Sequence, residues 1–222
     1  MRIKCLILIA IEMISALKMA AVDYQYEFEK IGFVDIQSVD SSIVVDLKYA
    51  SADNFMGFNM YGTLRHAYLR PEVAEKLAQA QQLLKKENKD YTLVVYDAAR
   101  PLSVQKIMYE KVSGTEFSQY VANPYNGGGF HNFGCAVDVT ILYKGEPLEM
   151  GSHFDSFDEL SHTDNEQRNL ANGTLSQEAF DNRSLLRRVM TTVGFDVEPC
   201  EWWHFSVYKI EYIRKNLPLL EF

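Results

Sequence analysis

The segment GGGFHNFGCAVDVTI, residues 127–141, predicts a glycine-rich loop followed by a buried strand, and it contains two residues that could bind a metal ion. Its second half is β-branched and apolar, which is typical of a buried strand, and the glycines before it are typical of a loop. Asp138 therefore lies on the predicted strand, and His131 lies in the loop that enters it. Both side chains can reach one metal ion. By itself this pair is a weak signal, because His and Asp in loops are more often surface groups.

A second segment, CEWWHF at residues 200–205, contributes Glu201 and His204. In a regular strand, two residues three apart point to opposite faces, so a bulge or turn must re-aim one of them. The sequence contains no His-Glu-x-x-His motif, which excludes the common helical arrangement of zinc-protease ligands. We therefore expect a site assembled on strands and loops.

These residue types suit one kind of chemistry. Two imidazoles and a carboxylate can hold a catalytic zinc and leave a fourth position open, while a second carboxylate takes a proton from water. The pattern indicates a zinc hydrolase. Arg100, in the segment YDAARP at 96–101, suits the stabilisation of a carbonyl oxygen that gains negative charge. The alternative for Arg100 is a surface ion pair at a strand end, and Asp97 beside it is interpreted as structural.

The periodicity of the chain predicts one α+β domain with a small, largely antiparallel sheet flanked by helices. Strands are predicted at residues 43–47, 91–96, 135–142 and 204–208. One helix begins at Pro71, a second follows Ser103, and a third ends near Gly194. Their apolar stripes, spaced at the helical period, are Val73, Leu77, Ala80 and Leu84; Val104, Ile107 and Met108; and Leu186, Val189, Met190 and Val193.

Composition limits the class of partner. The chain has 222 residues, of which 47% are hydrophobic and 23% charged, and this is ordinary for one globular domain with a sizeable core. A net charge of −8 without a basic run argues against nucleic acid or an anionic membrane as a partner. A small molecule is the expected partner, and oligomeric state has no signal in the sequence.

The first 21 residues resemble a signal peptide. Arg2 and Lys4 precede a short apolar stretch, and small residues follow where cleavage after Ala20 or Ala21 is conceivable. Glu12 interrupts the apolar stretch, and the alternative is a short helix packed on a cytoplasmic enzyme. We expect residues 22–222 to form the catalytic domain in the periplasm or another exported compartment, without stable membrane association after cleavage.

Three motifs in this order carry a resemblance to a known family. They are YDAARP, HxxGxAxD from His131 to Asp138, and ExxH within EWWH. Together they resemble the zinc D-alanyl-D-alanine dipeptidases of the VanX type, relatives of D,D-carboxypeptidases and peptidoglycan L,D-endopeptidases, from about residue 30 onward. The resemblance implies one zinc ion per chain, held by His131, Asp138 and His204. It also implies that Glu201 is the catalytic base and that Arg100 steadies the substrate carbonyl.

The same resemblance implies substrate contacts. Asp155 matches a family Asp that helps hold the ammonium group of the dipeptide, and Tyr49, Asn54 and Phe55 match a stretch near the pocket wall. One position departs from the family: Gly129 stands where members usually have Ser. This departure puts a hydroxyl contact to the substrate in doubt and suggests tolerance of a residue larger than alanine.

The predicted function is zinc-dependent hydrolysis of D-alanyl-D-alanine. The first alternative is a D,D-carboxypeptidase or another peptidase of peptidoglycan stem peptides, which differs in pocket length. The second is a non-catalytic zinc-binding module, against which Glu201 and Arg100 argue.

Two cysteines adjoin the catalytic segments. Strand alternation turns Cys135 and Cys200 away from the metal, where they can face each other and form a disulfide in an oxidising compartment. Two separate thiols are the alternative.

Overall fold

A computed structural model describes residues 22–222; the predicted signal segment, residues 1–21, lies outside the described residues. The described helices are α1 (Tyr24–Lys30), α2 (Ile36–Val39), α3 (Pro71–Glu87), α4 (Leu102–Val112), α5 (Glu166–Ala171), α6 (Gln177–Thr192) and α7 (Ile210–Asn216). The strands are β1 (Val34–Asp35), β2 (Val44–Val45), β3 (Tyr68–Leu69), β4 (Tyr91–Asp97), β5 (Ala136–Tyr143), β6 (Glu146–Pro147), β7 (Asp196–Glu198) and β8 (Glu201–Ser206).

The main sheet has the strand order β2-β4-β5-β8-β7. The first half of β5 pairs with β8, and the end of β5 pairs with the short strand β6. Strands β2 and β4 are parallel, and the other pairs in this sheet are antiparallel. Strands β1 and β3 form a separate antiparallel pair. The predicted α+β domain with a small, largely antiparallel sheet is confirmed.

The three predicted helices are present. In α3, which starts with Pro71 at its first turn, all four residues of the predicted stripe are buried, and the helix packs on β4 and α6. Helix α4 covers the second predicted helix, with Val104 and Met108 buried. Helix α6 buries Leu186, Val189 and Met190 and ends two residues before Gly194. No helix within residues 22–222 is long and apolar enough to cross a membrane.

The strand boundaries differ from the prediction at two places. Only Val44 and Val45 of the predicted strand 43–47 pair in the sheet. The last strand begins at Glu201 and ends at Ser206, so the predicted start at His204 was wrong. The reason is that Trp202 and Trp203 are buried in the core, and a central strand lets these large rings pack.

The register of the sheet brings the site together. Asp138 on β5 is paired with His204 on β8 and, on its other side, with Asp97 on β4. The pairing of β7 with β8 shifts register next to Glu198, which is paired with Glu201. This irregularity confirms the expected bulge or turn between Glu201 and His204.

Candidate metal centre

Three buried side chains meet at one point beside the sheet. Nε2 of His131 lies 3.1 Å from Nδ1 of His204 and 3.3 Å from Oδ1 of Asp138. Nδ1 of His204 lies 3.0 Å from the same carboxylate oxygen. The three predicted ligands are therefore brought together, and they form the group of possible metal ligands found within residues 22–222.

The backbone fixes the orientation of His131. His131 lies in a short 3-10 turn, Phe130–Phe133, which leads into β5. Its Nδ1 lies 2.6 Å from the carbonyl oxygen of Ala98, and because a carbonyl can only accept, Nδ1 carries the proton. The lone pair of His131 is then on Nε2 and points toward His204 and Asp138. A carbonyl that holds the second ring nitrogen is typical of metal-bound histidines.

The spacing of the three atoms suits a zinc ion. Tetrahedral zinc with bonds of about 2.0–2.1 Å has its ligand atoms roughly 3.3 Å apart. The observed separations of 3.0, 3.1 and 3.3 Å are close to that value. Two nitrogens and one oxygen also leave one tetrahedral position free, which is the arrangement of catalytic rather than structural zinc.

The charge of the triad is also suited to a cation. Burial by itself would raise the pKa of Asp138, but its interactions with His131 and His204 outweigh burial and hold this pKa below its usual range. Asp138 is thus an ionised carboxylate in a buried place, and such a group requires a positive partner.

Arg100 is buried and pre-positioned by its own neighbours, not exposed at a strand end. Its Nε and Nη2 donate to Oδ2 of Asp97 at 2.9 and 2.6 Å, and its Nη1 donates to Oε1 of Gln105 at 2.9 Å. Nη2 also lies 3.8 Å from Oδ2 of Asp138. Asp97 accepts a further hydrogen bond from the hydroxyl of Tyr61. The guanidinium is therefore held beside the triad by an ion pair in which two of its N–H groups donate to one oxygen of Asp97.

Glu201 lies next to the triad at the start of β8. Its Oε2 is 3.9 Å from Nδ1 of His204. Burial raises the pKa of Glu201 well above its usual value, and the nearby charges of Asp138 and Asp155 raise it further. A carboxyl group that binds a proton readily, beside a metal triad, can accept a proton and return it.

Asp155 occupies another part of the same cavity. Its Oδ1 accepts a hydrogen bond of 2.7 Å from the hydroxyl of Tyr49, and its Oδ2 accepts one of 3.4 Å from the backbone N–H of Phe55. Its backbone has a φ of 61°, in the left-handed region that most non-glycine residues avoid. Strained residues of this kind cluster at ligand sites. The structure thus brings together Asp155, Tyr49 and Phe55.

Asn54 is the one predicted substrate residue that does not line this cavity. Its Nδ2 donates to the carbonyls of Lys48, Ser51 and Phe58, and its Oδ1 accepts from the N–H groups of Met56 and Gly57. It holds the loop that presents Phe55.

The cavity around the triad has a volume of about 310 Å³, which suits a small ligand. Its walls include side chains that the sequence interpretation did not select. Tyr120 and Phe157 stack at 5.1 Å between ring centroids, and Gln105, Glu198 and Arg214 supply polar groups. Glu198 could have been suspected from its position three residues before Glu201. The others had no local signal.

Comparison with known proteins gives a consistent result. A family model described as D-ala-D-ala dipeptidase, among the M15 peptidases, matches residues 29–218. A D-alanyl-D-alanine dipeptidase of Enterococcus faecium is 32% identical over 197 residues, which is 79% of this chain and 91% of the relative. Another, from Escherichia coli strain K12, is 31% identical over 175 residues, which is 78% of this chain and 83% of the relative.

The chain belongs to the D-alanyl-D-alanine dipeptidase family. The resemblance of the three motifs is thereby confirmed, and the chain is an enzyme of the peptidase class, in a family of metallopeptidases. The His-Asp-His triad gives this dipeptidase family member a site at which a metal can bind.

The departure at Gly129 has a steric basis. A Cβ added at Gly129 would lie 2.7 Å from the Cβ of Ala122, which is closer than side chains tolerate. The serine that the family usually has at this position does not fit here unless Ala122 moves. Position 129 therefore offers a substrate no hydroxyl group.

The two cysteines of the described residues are both free. Cys135 is buried with Phe133 and Ile213, and burial raises the pKa of its thiol to about 11. Cys200 instead lines the cavity of the triad. They do not face each other, and the structure corresponds to the alternative of two separate thiols.

The pKa of Asp155 generates a prediction about stability. Burial raises this pKa to about 7, against a value near 3.8 when unperturbed. Between these two pH values the folded protein keeps a proton that the unfolded chain has lost. The free energy of unfolding of the metal-free protein should therefore fall by up to about 1.4 kcal/mol per pH unit from this residue, with no further loss above pH 7.

Asp155→Asn removes this titration. The unsubstituted protein should lose stability from Asp155 as the pH rises, and Asp155→Asn should not. The difference between the melting temperatures of the metal-free variant and the metal-free unsubstituted protein should therefore increase from about pH 5 to about pH 7 and then stay constant. Thermal denaturation at a series of pH values measures it, with Asp181→Asn, at an exposed position on α6, as the control. A difference that does not change with pH would show that Asp155 is not protonated in this range.

Proposed function

We propose that this enzyme is a zinc dipeptidase that hydrolyses D-alanyl-D-alanine to D-alanine. The observation that carries the proposal is one small cavity that contains the metal triad, Glu201, Arg100 and Asp155. Each of these groups suits one part of a dipeptide: the carbonyl, the leaving amine or the free ammonium group. The relatives named D-alanyl-D-alanine dipeptidase support the choice of substrate.

His131, Asp138 and His204 would hold the zinc ion. When bound, zinc supplies a Lewis acid for the scissile carbonyl and lowers the pKa of water to about 7. The hydrogen bond from His131 to Ala98 fixes the ring before the metal arrives, and the sheet register fixes Asp138 against His204. The ligands therefore need little rearrangement to bind.

Glu201 would act as the general base and then as the general acid. It takes a proton from the attacking water and gives it to the nitrogen of the leaving D-alanine, so that the proton balance closes within one turnover. The raised pKa of Glu201 makes its carboxylate a stronger base for the first of these steps. A bound cation next to Glu201 would lower this pKa, so that the carboxylate is ionised at neutral pH and returns the proton more readily in the second step.

Arg100 would stabilise the oxygen of the scissile carbonyl as it gains negative charge. Because Asp97 and Gln105 hold the guanidinium in place, no energy is spent on ordering it during the reaction. This arrangement disfavours a non-catalytic metal module, which has no need for a buried, oriented Arg100 beside Glu201.

Asp155 would hold the ammonium group of the dipeptide. Its surroundings, Tyr49, Phe55 and Phe157, enclose this end of the cavity with aromatic side chains. A carboxypeptidase must leave that end open for the rest of a peptide chain. The enclosed Asp155 therefore favours a dipeptidase over an enzyme that trims stem peptides.

Export remains part of the proposal, and it rests on residues 1–21. Expression of the full chain in bacteria should give a periplasmic or secreted protein whose first residue is Ala21 or Val22. Amino-terminal sequencing of the fractionated protein tests this. A protein that stays in the cytoplasm with Met1 intact would favour a cytoplasmic enzyme.

The roles of the metal and of Glu201 can be separated. Chelation should abolish hydrolysis of D-alanyl-D-alanine, and added zinc should restore it. Glu201→Ala should bind zinc with normal stoichiometry but lower kcat by about 10²–10⁴-fold, because the base is lost while the ligands remain. Metal analysis and steady-state kinetics measure the two effects. Glu159→Ala is the control, since it removes an exposed carboxylate outside the cavity and should leave zinc content and kcat unchanged. Near-normal turnover of Glu201→Ala would refute the mechanism.

The role of Asp155 can be tested with a blocked substrate. N-acetyl-D-alanyl-D-alanine should be cleaved very poorly, because it has no ammonium group to pair with the enclosed carboxylate. Asp155→Ala should lower kcat/KM for the free dipeptide far more than for the acetylated one. Asp164→Ala, at an exposed carboxylate, should change neither. Equal cleavage of the free dipeptide, its acetylated form and a stem pentapeptide would replace the dipeptidase with a wall-trimming enzyme.

A further inference from the structure

A dipeptide has an ammonium group at one end and a carboxylate at the other, and the proposed function assigns a protein partner only to the ammonium group. In the proposed function, on which this inference rests, Asp155 pairs with the ammonium group and Arg100 with the scissile carbonyl. The free carboxylate of the second residue also loses water when it enters the cavity. A charge that is desolvated without a partner costs free energy, so a cationic group should face it.

Two guanidinium groups line the cavity in the described part of the chain, those of Arg100 and Arg214. The guanidinium of Arg100 already donates three hydrogen bonds, two to Asp97 and one to Gln105. It also lies against the metal ligand Asp138, at 3.8 Å. Arg100 is therefore committed to the reaction centre, and Arg214 is the group left for the carboxylate.

Arg214 lies on α7 as an exposed residue at the edge of the cavity, and two features hold its position. The preceding residue, Ile213, is fully buried against Phe133 and Cys135, which anchors the helix to the start of β5. Nη2 of Arg214 donates a 2.7 Å hydrogen bond to the carbonyl oxygen of Gly128, in the loop before His131. Among residues 22–222, no carboxylate lies within ion-pair distance of Arg214, so most of its N–H groups remain available.

The glycine loop makes room for this side chain. A Cβ added at Gly127 would lie 3.2 Å from Nε of Arg214, so a larger residue there would press on the guanidinium. A side chain at Gly129 would collide with Ala122, as described above. The loop therefore cannot supply the hydroxyl that other members carry at position 129, whereas α7 places a cation over the same loop.

We propose that Arg214 binds the carboxylate of the substrate. Arg214 belongs to the wall formed by the glycine loop, and Asp155 belongs to the wall formed by Tyr49 and Phe55. The two walls carry opposite charges, and the zinc triad shares their cavity. A dipeptide that places its ammonium group on Asp155 and its carboxylate on Arg214 is thereby oriented before it reacts, and Arg214 acts as a substrate-binding residue.

The test compares D-alanyl-D-alanine with D-alanyl-D-alanine amide, which lacks only the carboxylate charge. The unsubstituted enzyme should prefer the free acid. Arg214→Ala should raise KM for the acid by about tenfold or more and leave kcat nearly unchanged, because the contact is the same in the ground and transition states. KM for the amide should change by less than about twofold. Arg214→Lys should recover part of the preference, since it keeps the charge but not the planar fork.

Lys215→Ala is the matched control, because it removes a neighbouring exposed charge from the same helix and should leave both substrates unaffected. A binding measurement gives a second readout. By calorimetry, zinc-loaded Glu201→Ala should bind the acid more tightly than the amide, and Glu201→Ala with Arg214→Ala should bind both equally.

The outcomes separate this inference from the proposed function. An equal loss on acid and amide would show that Arg214 supports only the glycine loop, and an unchanged preference for the acid would show no contact; either result overturns the inference and leaves the dipeptidase intact. An unsubstituted enzyme that neither cleaves nor binds the dipeptide would overturn both.

Discussion

The antiparallel pairing of β5 with β8 is the constraint on which the rest of the site depends. It sets Asp138 opposite His204, and β4 on the other side of β5 brings Asp97 into the same row. Because strand side chains alternate, a slip of one residue would turn Asp138 to the other face of the sheet. Val137 and Phe205, paired next to this row and fully buried, make such a slip costly.

The site concentrates carboxylate side chains in a partly buried cavity. Four carboxylates line the cavity, those of Asp138, Asp155, Glu198 and Glu201, and burial raises the pKa of both Asp155 and Glu201. The buried Arg100 balances only part of this charge, because it is already paired with Asp97. A bound divalent cation would relieve the remaining repulsion, so this concentration of carboxylates favours metal binding.

Glycines and aromatic rings shape the two ends of the cavity by different means. The three glycines before Phe130 carry no side chains, and a cationic group from α7, Arg214, donates a hydrogen bond to the carbonyl of Gly128. At the other end, the aromatic rings of Tyr49, Phe55 and Phe157 lie beside Asp155. In the proposed function, the enzyme would recognise a short substrate by its two terminal charges and by the distance between them.

Local patterns in the sequence predicted the apolar faces of α3, α4 and α6 and the strand that carries Asp138, because periodicity depends only on residues close together in the chain. Short motifs predicted the three residues of the triad. The tertiary structure alone decided contacts between distant segments. Tyr49 and Asp155 are 106 residues apart, and Gly128 and Arg214 are 86 apart. It likewise showed that Asn54 holds its own loop and that β8 begins at Glu201. These features follow from sheet register, loop paths and packing of the core, which depend on the whole chain at once.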